Sequence, residues 1–328
     1  MVTLEKGARY FLAEQLALRQ AKSPDALAPS TITLYEKILR GLMQDHAELR
    51  LDTMLVSQVE RIRLKLFQRG SSLSYVRAHT DVLSSICRNL WRQGLIDTNP
   101  MDIWKLRSRP IRTKTRSAAE AREIDAIANR DSILALVKEC QRDNHCDSGW
   151  KIEGIVLLAV GSGLRLGEIR GLRWASIKHP TTPSEFRTIA VVESWPTNGR
   201  EGELTKTGKP RAVLYPTIFG EWYERNRHRG MMQDLVFSKT RGEDLLRALG
   251  RRCVRAGFSH PATFQVLRHT FASHMLTLGY PLEWVSDQLG NSPEVARRHY
   301  AKYLDPWRRP EPVPAGMNPT DLIFCGGA

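Results

Sequence analysis

Three segments of this sequence carry residue types that can act on a phosphate. The first runs Gly161-Ser-Gly-Leu-Arg165-Leu-Gly-Glu168-Ile-Arg-Gly-Leu172-Arg-Trp174. Gly161 and Gly163 break the apolar helical run before them, and a new helix is predicted to start almost at Arg165. A helix N-terminus offers free N–H groups and the positive end of a dipole, both suited to phosphate. The planar fork of Arg165 adds two parallel donors for phosphate oxygens. Glu168 falls on the same helical face and can orient that guanidinium. Ile169, Leu172 and Trp174 would anchor the segment in a core.

The second segment is Thr263-Phe-Gln265-Val-Leu-Arg268-His269-Thr-Phe271-Ala-Ser-His274-Met275. Leu267, Phe271 and Met275 form its core stripe, and Gln265 and Arg268 are expected to share another face. The third is Leu289-Gly-Asn291-Ser-Pro-Glu-Val-Ala-Arg-Arg-His299-Tyr300-Ala-Lys-Tyr303. Arg170, Arg173, Arg297 and Arg298 read most simply as surface or DNA-backbone residues.

These residues must be positioned by the rest of the chain. In positions 1–105 apolar residues recur at helical spacing. One stripe is Tyr35, Ile38, Leu39, Leu42 and Met43, with Ser30 and Thr31 as its expected N-cap. Another is Val76, Leu83, Ile86, Cys87 and Leu90, closed by Gly94. Arg77, Arg88 and Arg92 lie opposite that stripe, as a solvated face or as DNA contacts. Asn99-Pro100 is expected to end this helical region. Positions 106–122 form a basic linker. Arg112, Lys114 and Arg116 there could follow a phosphate backbone, each neutralised phosphate releasing counterions. Pro110 favours an extended start to it.

A second domain is expected over 123–305, with a tail at 306–328. Ile152 to Val160 is apolar on nearly all sides, so its helix should be buried. Thr188–Val192 and Arg211–Tyr215 read as strands around a polar turn, with a further strand expected at Leu235–Phe237. Helices are expected to return after Gly242. The fold class is therefore mainly α with a small antiparallel β-sheet. The apolar tail end, Leu322 to Phe324, is expected either to pack within this chain or to dock on a neighbouring protomer.

The 328 residues carry a formal charge of +14, the balance of a protein that meets a polyanion, and nucleic acid is the first candidate. No run of about 20 apolar residues suggests a membrane span, and the charged N-terminus does not suit a signal peptide, so a cytoplasmic, DNA-associated protein is expected. The five cysteines are scattered, as reduced thiols would be. Cys140, His145 and Cys146 do not match zinc-ligand spacing, and no metal site is expected.

Taken together, the three segments resemble the tyrosine recombinases, or phage integrase family. That family has a Thr-Gly-Leu-Arg-x-x-Glu-like box, then a His-x-x-Arg box, then Leu-Gly-His with a tyrosine nine positions on. Arg165, Arg268 and Tyr300 fall on those positions in order. Leu204-Thr205-Lys206-Thr207-Gly208-Lys209 resembles the hairpin bearing the family's catalytic lysine, which maps to Lys206, with Lys209 as its rival. The resemblance implies a helical core-binding (SAM-like) domain in front of the catalytic domain. It implies Tyr300 as nucleophile, with Tyr303 the less fitting alternative, and Lys206 as general acid for the departing 5′ oxygen. It implies a 3′-phosphotyrosine intermediate without cofactor or metal. It further implies four protomers on two double-stranded DNA sites, exchanging strands through a Holliday junction, and it allows for accessory DNA-bending or directionality factors.

Two positions depart from the family. Gln265 stands where histidine is usual, and an amide cannot take a proton at neutral pH. His269 is a possible substitute, although a histidine hydrogen-bonded inside the fold is the simpler reading. Asn291 stands where histidine or tryptophan is usual and can still donate to a phosphate oxygen. These changes suggest a slower enzyme. They also leave room for a DNA-binding relic, and the shared tyrosine chemistry leaves room for a type IB-topoisomerase-like relaxing enzyme. About 25 residues precede the first core-binding helix signature, few for a separate arm-binding domain, so a simple recombination site is expected.

Overall fold

The computed structural model describes residues 1–108, 129–142, 149–180, 185–195, 203–204, 210–238, 240–304, 309–314 and 317–325. The chain divides into two compact units, Met1–Thr115 and Arg116–Ala328.

In the first unit, five helices are described: α1 (Leu4–Gln20), α2 (Pro29–His46), α3 (Val56–Gln68), α4 (Leu73–Arg92) and α5 (Pro100–Arg107). The central one is α4, which packs on the other four. It buries Val76, Val82, Leu83, Ile86, Cys87 and Leu90, so the expected stripe is its core face. Arg77, Arg88 and Arg92 are exposed on it. Two helix boundaries differ from expectation, both because of proline. Ala28 is the N-cap of α2 and Pro29 opens it, which places Ser30 and Thr31 inside the first turn. Asn99-Pro100 starts a helix where an end was expected. The Asn99 side chain accepts from the Met101 N–H at 3.1 Å, and Pro100 occupies the position whose N–H would have no partner.

The second unit is built on α6 (Arg130–Arg142) and α7 (Gly149–Gly161), followed by the short α8 (Leu166–Arg170). Helix α7 is buried at every residue but Lys151, because apolar residues occupy nearly all of its faces. The short strands are β1 (Ile177–Lys178), β2 (Thr188–Val191), β3 (Glu193–Ser194), β4 (Glu203–Leu204) and β5 (Arg211–Leu214). They form an antiparallel sheet in the order β1-β2-β5 and a separate β3-β4 pair. Thr188 faces Leu214 and Val191 faces Arg211, so the two expected strands pair directly.

Leu235 makes only an isolated bridge with Arg173, and Val236 donates to the Leu172 carbonyl at 2.8 Å, so no strand forms at Leu235–Phe237. Helices return earlier than expected, at α9 (Thr217–Asn226), which buries Phe219, Trp222 and Tyr223. Their spacing is that of a helical face, a short one that the strand before it masks in the sequence. Four further helices follow: α10 (Gly242–Arg255), α11 (Phe264–Thr277), α12 (Leu282–Leu289) and α13 (Pro293–Tyr300).

The apolar tail packs within its own unit. A 3-10 turn at Pro319–Ile323 lies against α7 and α11, with Ile323 fully buried. The Asp321 carboxylate accepts from the Thr217 N–H at 2.5 Å and the Thr217 hydroxyl at 2.8 Å, capping α9.

Candidate active site

The site is organised where α7 ends. Gly163 adopts φ +65°, and a Cβ there would sit 2.5 Å from Phe271 and 2.8 Å from Leu289, so only glycine fits. The turn presents the Gly163 carbonyl to α11 and delivers Arg165 as the N-cap of α8. The Glu168 carboxylate accepts from the Arg165 backbone N–H at 2.9 Å and from its guanidinium at 3.0 Å. Their spacing predicts one shared face, and they meet there.

Arg268 is 2% exposed. It donates to the Gly163 carbonyl at 2.7 Å and the Leu289 carbonyl at 2.8 Å. Leu289 also accepts from Arg165, at 3.3 Å. Carbonyls at the end of α12 lack helical partners and carry the negative end of its dipole, so two cations converge on them. Gly290, at φ +63°, turns the chain there and brings Asn291 between the arginines. The Asn291 side-chain oxygen accepts from Arg165 through a short hydrogen bond and from Arg268 at 3.2 Å. The Asn291 oxygen thus serves the two arginines as an acceptor, which leaves its amide N–H groups, the expected donors to a phosphate, in place.

Tyr300 is the last residue of α13 and is 3% exposed. Its hydroxyl lies 2.5 Å from His269 Nδ1. Burial pushes the phenol up to about 12, against the pull of Arg268 and Arg165. Burial lowers His269 to about 4, helped by Arg268 and His299, so the ring is neutral at physiological pH. Burial also lowers Arg268, assisted by Arg165. His269 is thus both buried and in contact with Tyr300.

Gln265 and Arg268 do not share a face: Gln265 is exposed and reaches His269 at 3.0 Å, whereas Arg268 turns inward. The α-helical period separates positions three apart enough for one to be buried and the other wet. Of the arginines expected at the surface, Arg170 is buried and structural, whereas Arg173 keeps an exposed side chain that also makes structural contacts. Arg170 is 8% exposed and donates to the Trp195 and Thr240 carbonyls at 3.2 and 3.0 Å. Arg173 holds Glu193 at 2.7 Å and the Gln233 carbonyl at 2.7 Å. Arg297 and Arg298 are exposed. Lys206, Lys209, Arg112, Lys114, Arg116, His145 and Cys146 lie outside the described residues. Among the described residues, no group of three or more His, Cys, Asp or Glu could hold a metal ion, and no helix is long and apolar enough to cross a membrane.

One residue of the site was not anticipated from sequence. Arg211, at the start of β5, donates twice to Glu168, at 3.1 and 2.8 Å, and once to the Gln288 carbonyl at 3.3 Å. Burial raises the Glu168 carboxyl, but Arg211 and then Arg165 more than offset this and hold it below its ordinary range. The only sequence signal was a lone basic residue opening a strand next to the lysine hairpin.

A pair of arginines sharing acceptors, beside a buried tyrosine, is an arrangement suited to gripping a phosphodiester and attacking it. Residues 128–305 match the Phage integrase family. The chain therefore belongs to that family: it is a tyrosine recombinase, a site-specific recombinase acting on DNA. A tyrosine recombinase XerC-like protein of Caldanaerobacter subterraneus subsp. tengcongensis is 24% identical over 294 residues, covering 80% of this chain and 71% of the relative. The fold is that of the Tn1549 transposon integrase in complex with transposon right end DNA, with a TM-score of 0.64 at 17% identity, covering 91% of this chain and 95% of that one. It is also that of a lambda integrase tetramer bound to a Holliday junction, with a TM-score of 0.63 at 16% identity, covering 94% and 80%.

Proposed function

We propose that Tyr300 attacks the scissile phosphate in line, forming a 3′-phosphotyrosine and freeing a 5′ hydroxyl. Arg165 and Arg268 neutralise the non-bridging oxygens and the charge added in the transition state. The observation that carries this reading is the shared acceptor: the Asn291 oxygen receives hydrogen bonds from both guanidinium groups. A phosphate oxygen taking that place would be held by the same two forks. Lys206, through the resemblance, protonates the departing 5′ oxygen. The energy of the broken bond is kept in the phosphotyrosine, so rejoining needs no ATP.

The first unit acts as the core-binding domain and the second as the catalytic domain, and the basic residues of 106–122 supply cations for phosphates. Four protomers pair two DNA sites and exchange strands through a Holliday junction. The lambda integrase tetramer on a junction supports this reading by similarity of fold.

The test is covalent capture. A site selected from a random duplex library by binding is nicked beside the scissile phosphate and incubated with the protein. The native protein forms a covalent adduct and Tyr300→Phe forms none. An adduct from Tyr300→Phe at the native rate sinks the assignment.

A further inference from the structure

We infer that His269 serves Tyr300 as a hydrogen-bond donor to the attacking phenolate, and that Gln265 fixes the ring tautomer which makes it one. The inference rests on the reading of Tyr300 as nucleophile and goes beyond it. Two contacts on opposite sides of one imidazole carry the argument. On one side, the Gln265 amide nitrogen lies 3.0 Å from His269 Nε2. On the other, His269 Nδ1 lies 2.5 Å from the Tyr300 hydroxyl.

An amide nitrogen only donates, so Nε2 is the acceptor and bears no proton. The ring is neutral, because it is buried and faces the cation of Arg268. A neutral imidazole with a bare Nε2 holds its one proton on Nδ1. That proton points at the Tyr300 oxygen, and Nδ1 has no lone pair left for the phenol's proton. His269 in this arrangement is not a base. It donates to the oxygen as negative charge develops, and a hydrogen bond to the charged form of an acid favours ionisation.

The donor opposes the burial that holds the phenol protonated. Arg268 and Arg165 act on the phenol in the same sense, and Tyr303 opposes them. Arg268 and His299 are the charged or titratable groups acting on the imidazole. Tyr300 releases its proton to water as its oxygen closes on phosphorus. The ring keeps its own proton throughout.

This differs from what Gln265 alone suggested. A glutamine in place of histidine looks like a lost proton acceptor. In the fold it controls which nitrogen of a second histidine carries hydrogen.

Covalent adduct formation on nicked site DNA, followed against pH, separates donor from base. Asparagine can place an N–H donor near the Nδ1 position but cannot take up a proton, and aspartate can only accept. The inference requires His269→Asn to react clearly faster than His269→Ala and His269→Asp. His269→Ala and His269→Asp slow by about 10- to 150-fold, the range for one hydrogen bond to a charged group, with their profiles displaced to higher pH. Gln265→Leu, at an exposed position, slows the reaction without lowering the melting temperature. If His269→Asp is active and His269→Asn is as slow as His269→Ala, the ring is a base and the inference fails. Equal rates for all variants also overturn it, and an unslowed Gln265→Leu overturns the tautomer control. A native protein that forms no adduct, or a Tyr300→Phe variant that does, overturns the nucleophile reading as well. Melting curves on each variant identify loss of fold.

Discussion

Arg211 holds Glu168 through two hydrogen bonds, at 3.1 and 2.8 Å, and the carboxylate in turn holds Arg165. Glu168 is 4% exposed, so it is a buried charge whose cost is met by hydrogen bonds from two cations, with Arg268 at 4.0 Å as a third. Arg211→Ala leaves that charge hydrogen-bonded to Arg165, with Arg268 at 4.0 Å. Breaking such a buried pair typically costs about 3–5 kcal/mol. Arg211→Ala is therefore expected to lower stability in urea unfolding by roughly that amount, and adduct formation to fall with it as Arg165 loses its brace. In a double-mutant cycle, adding Glu168→Gln recovers part of the loss. Additive losses in that cycle would remove the coupling.

Asn291 gives a second expectation. Its side-chain oxygen sits between Arg165 and Arg268 as a neutral acceptor, in the place proposed for a phosphate oxygen. Asn291→Asp puts a fixed negative charge there. The variant is expected to melt no lower than the native protein. It should bind site DNA more weakly and form adduct at least about 100-fold more slowly, the scale for losing one transition-state donor. Binding and capture assays read the two effects separately.

Acid sensitivity follows from His269. Its folded value, about 4, lies below its ordinary 6.5. Between these values the unfolded chain takes up a proton that the folded chain refuses, so stability falls as pH drops from about 6.5 to about 4. Below that window both states are protonated and this contribution changes no further. Calorimetric melting at pH 7 and pH 5 should show a smaller difference in His269→Asn than in the native protein. Burial lowers His46 and His179 in the same direction, so some acid sensitivity persists.

The tail is expected to behave as part of the core. Ile323 is fully buried, and Asp321 caps α9. Ile323→Ala should cost about 2–5 kcal/mol in chemical unfolding, as for other large-to-small changes at buried sites. An unchanged unfolding midpoint would show that the tail leaves this position in solution.

DNA affinity should depend steeply on salt, in keeping with the net charge of +14. Arg77, Arg88 and Arg92 are exposed on one helix of the first unit. Changing each to glutamine should reduce the slope of log K against log salt by about 0.9 for every phosphate that is no longer neutralised. A slope unchanged in the triple variant would mark these arginines as a solvated face.

Much of this protein was local enough to be written in its sequence. The stripes of α4 and α11, the break at Gly161 and Gly163, the start of α8 near Arg165 and the pairing of Arg165 with Glu168 depend on residues a few positions apart. Helical period and backbone preference decide such features without the rest of the chain. The candidate site residues could be nominated for the same reason, since each sits in a compact segment. What the segments do to one another was not. His269 and Tyr300 are 31 positions apart, and Glu168 and Arg211 are 43 apart. Arg268 became buried and Gln265 exposed through packing that neither residue type dictates. Hydrogen-bond roles depend on which atoms burial leaves facing each other, and only tertiary packing fixes that. The sequence determined which groups could react, and the tertiary structure set the partners of those it describes.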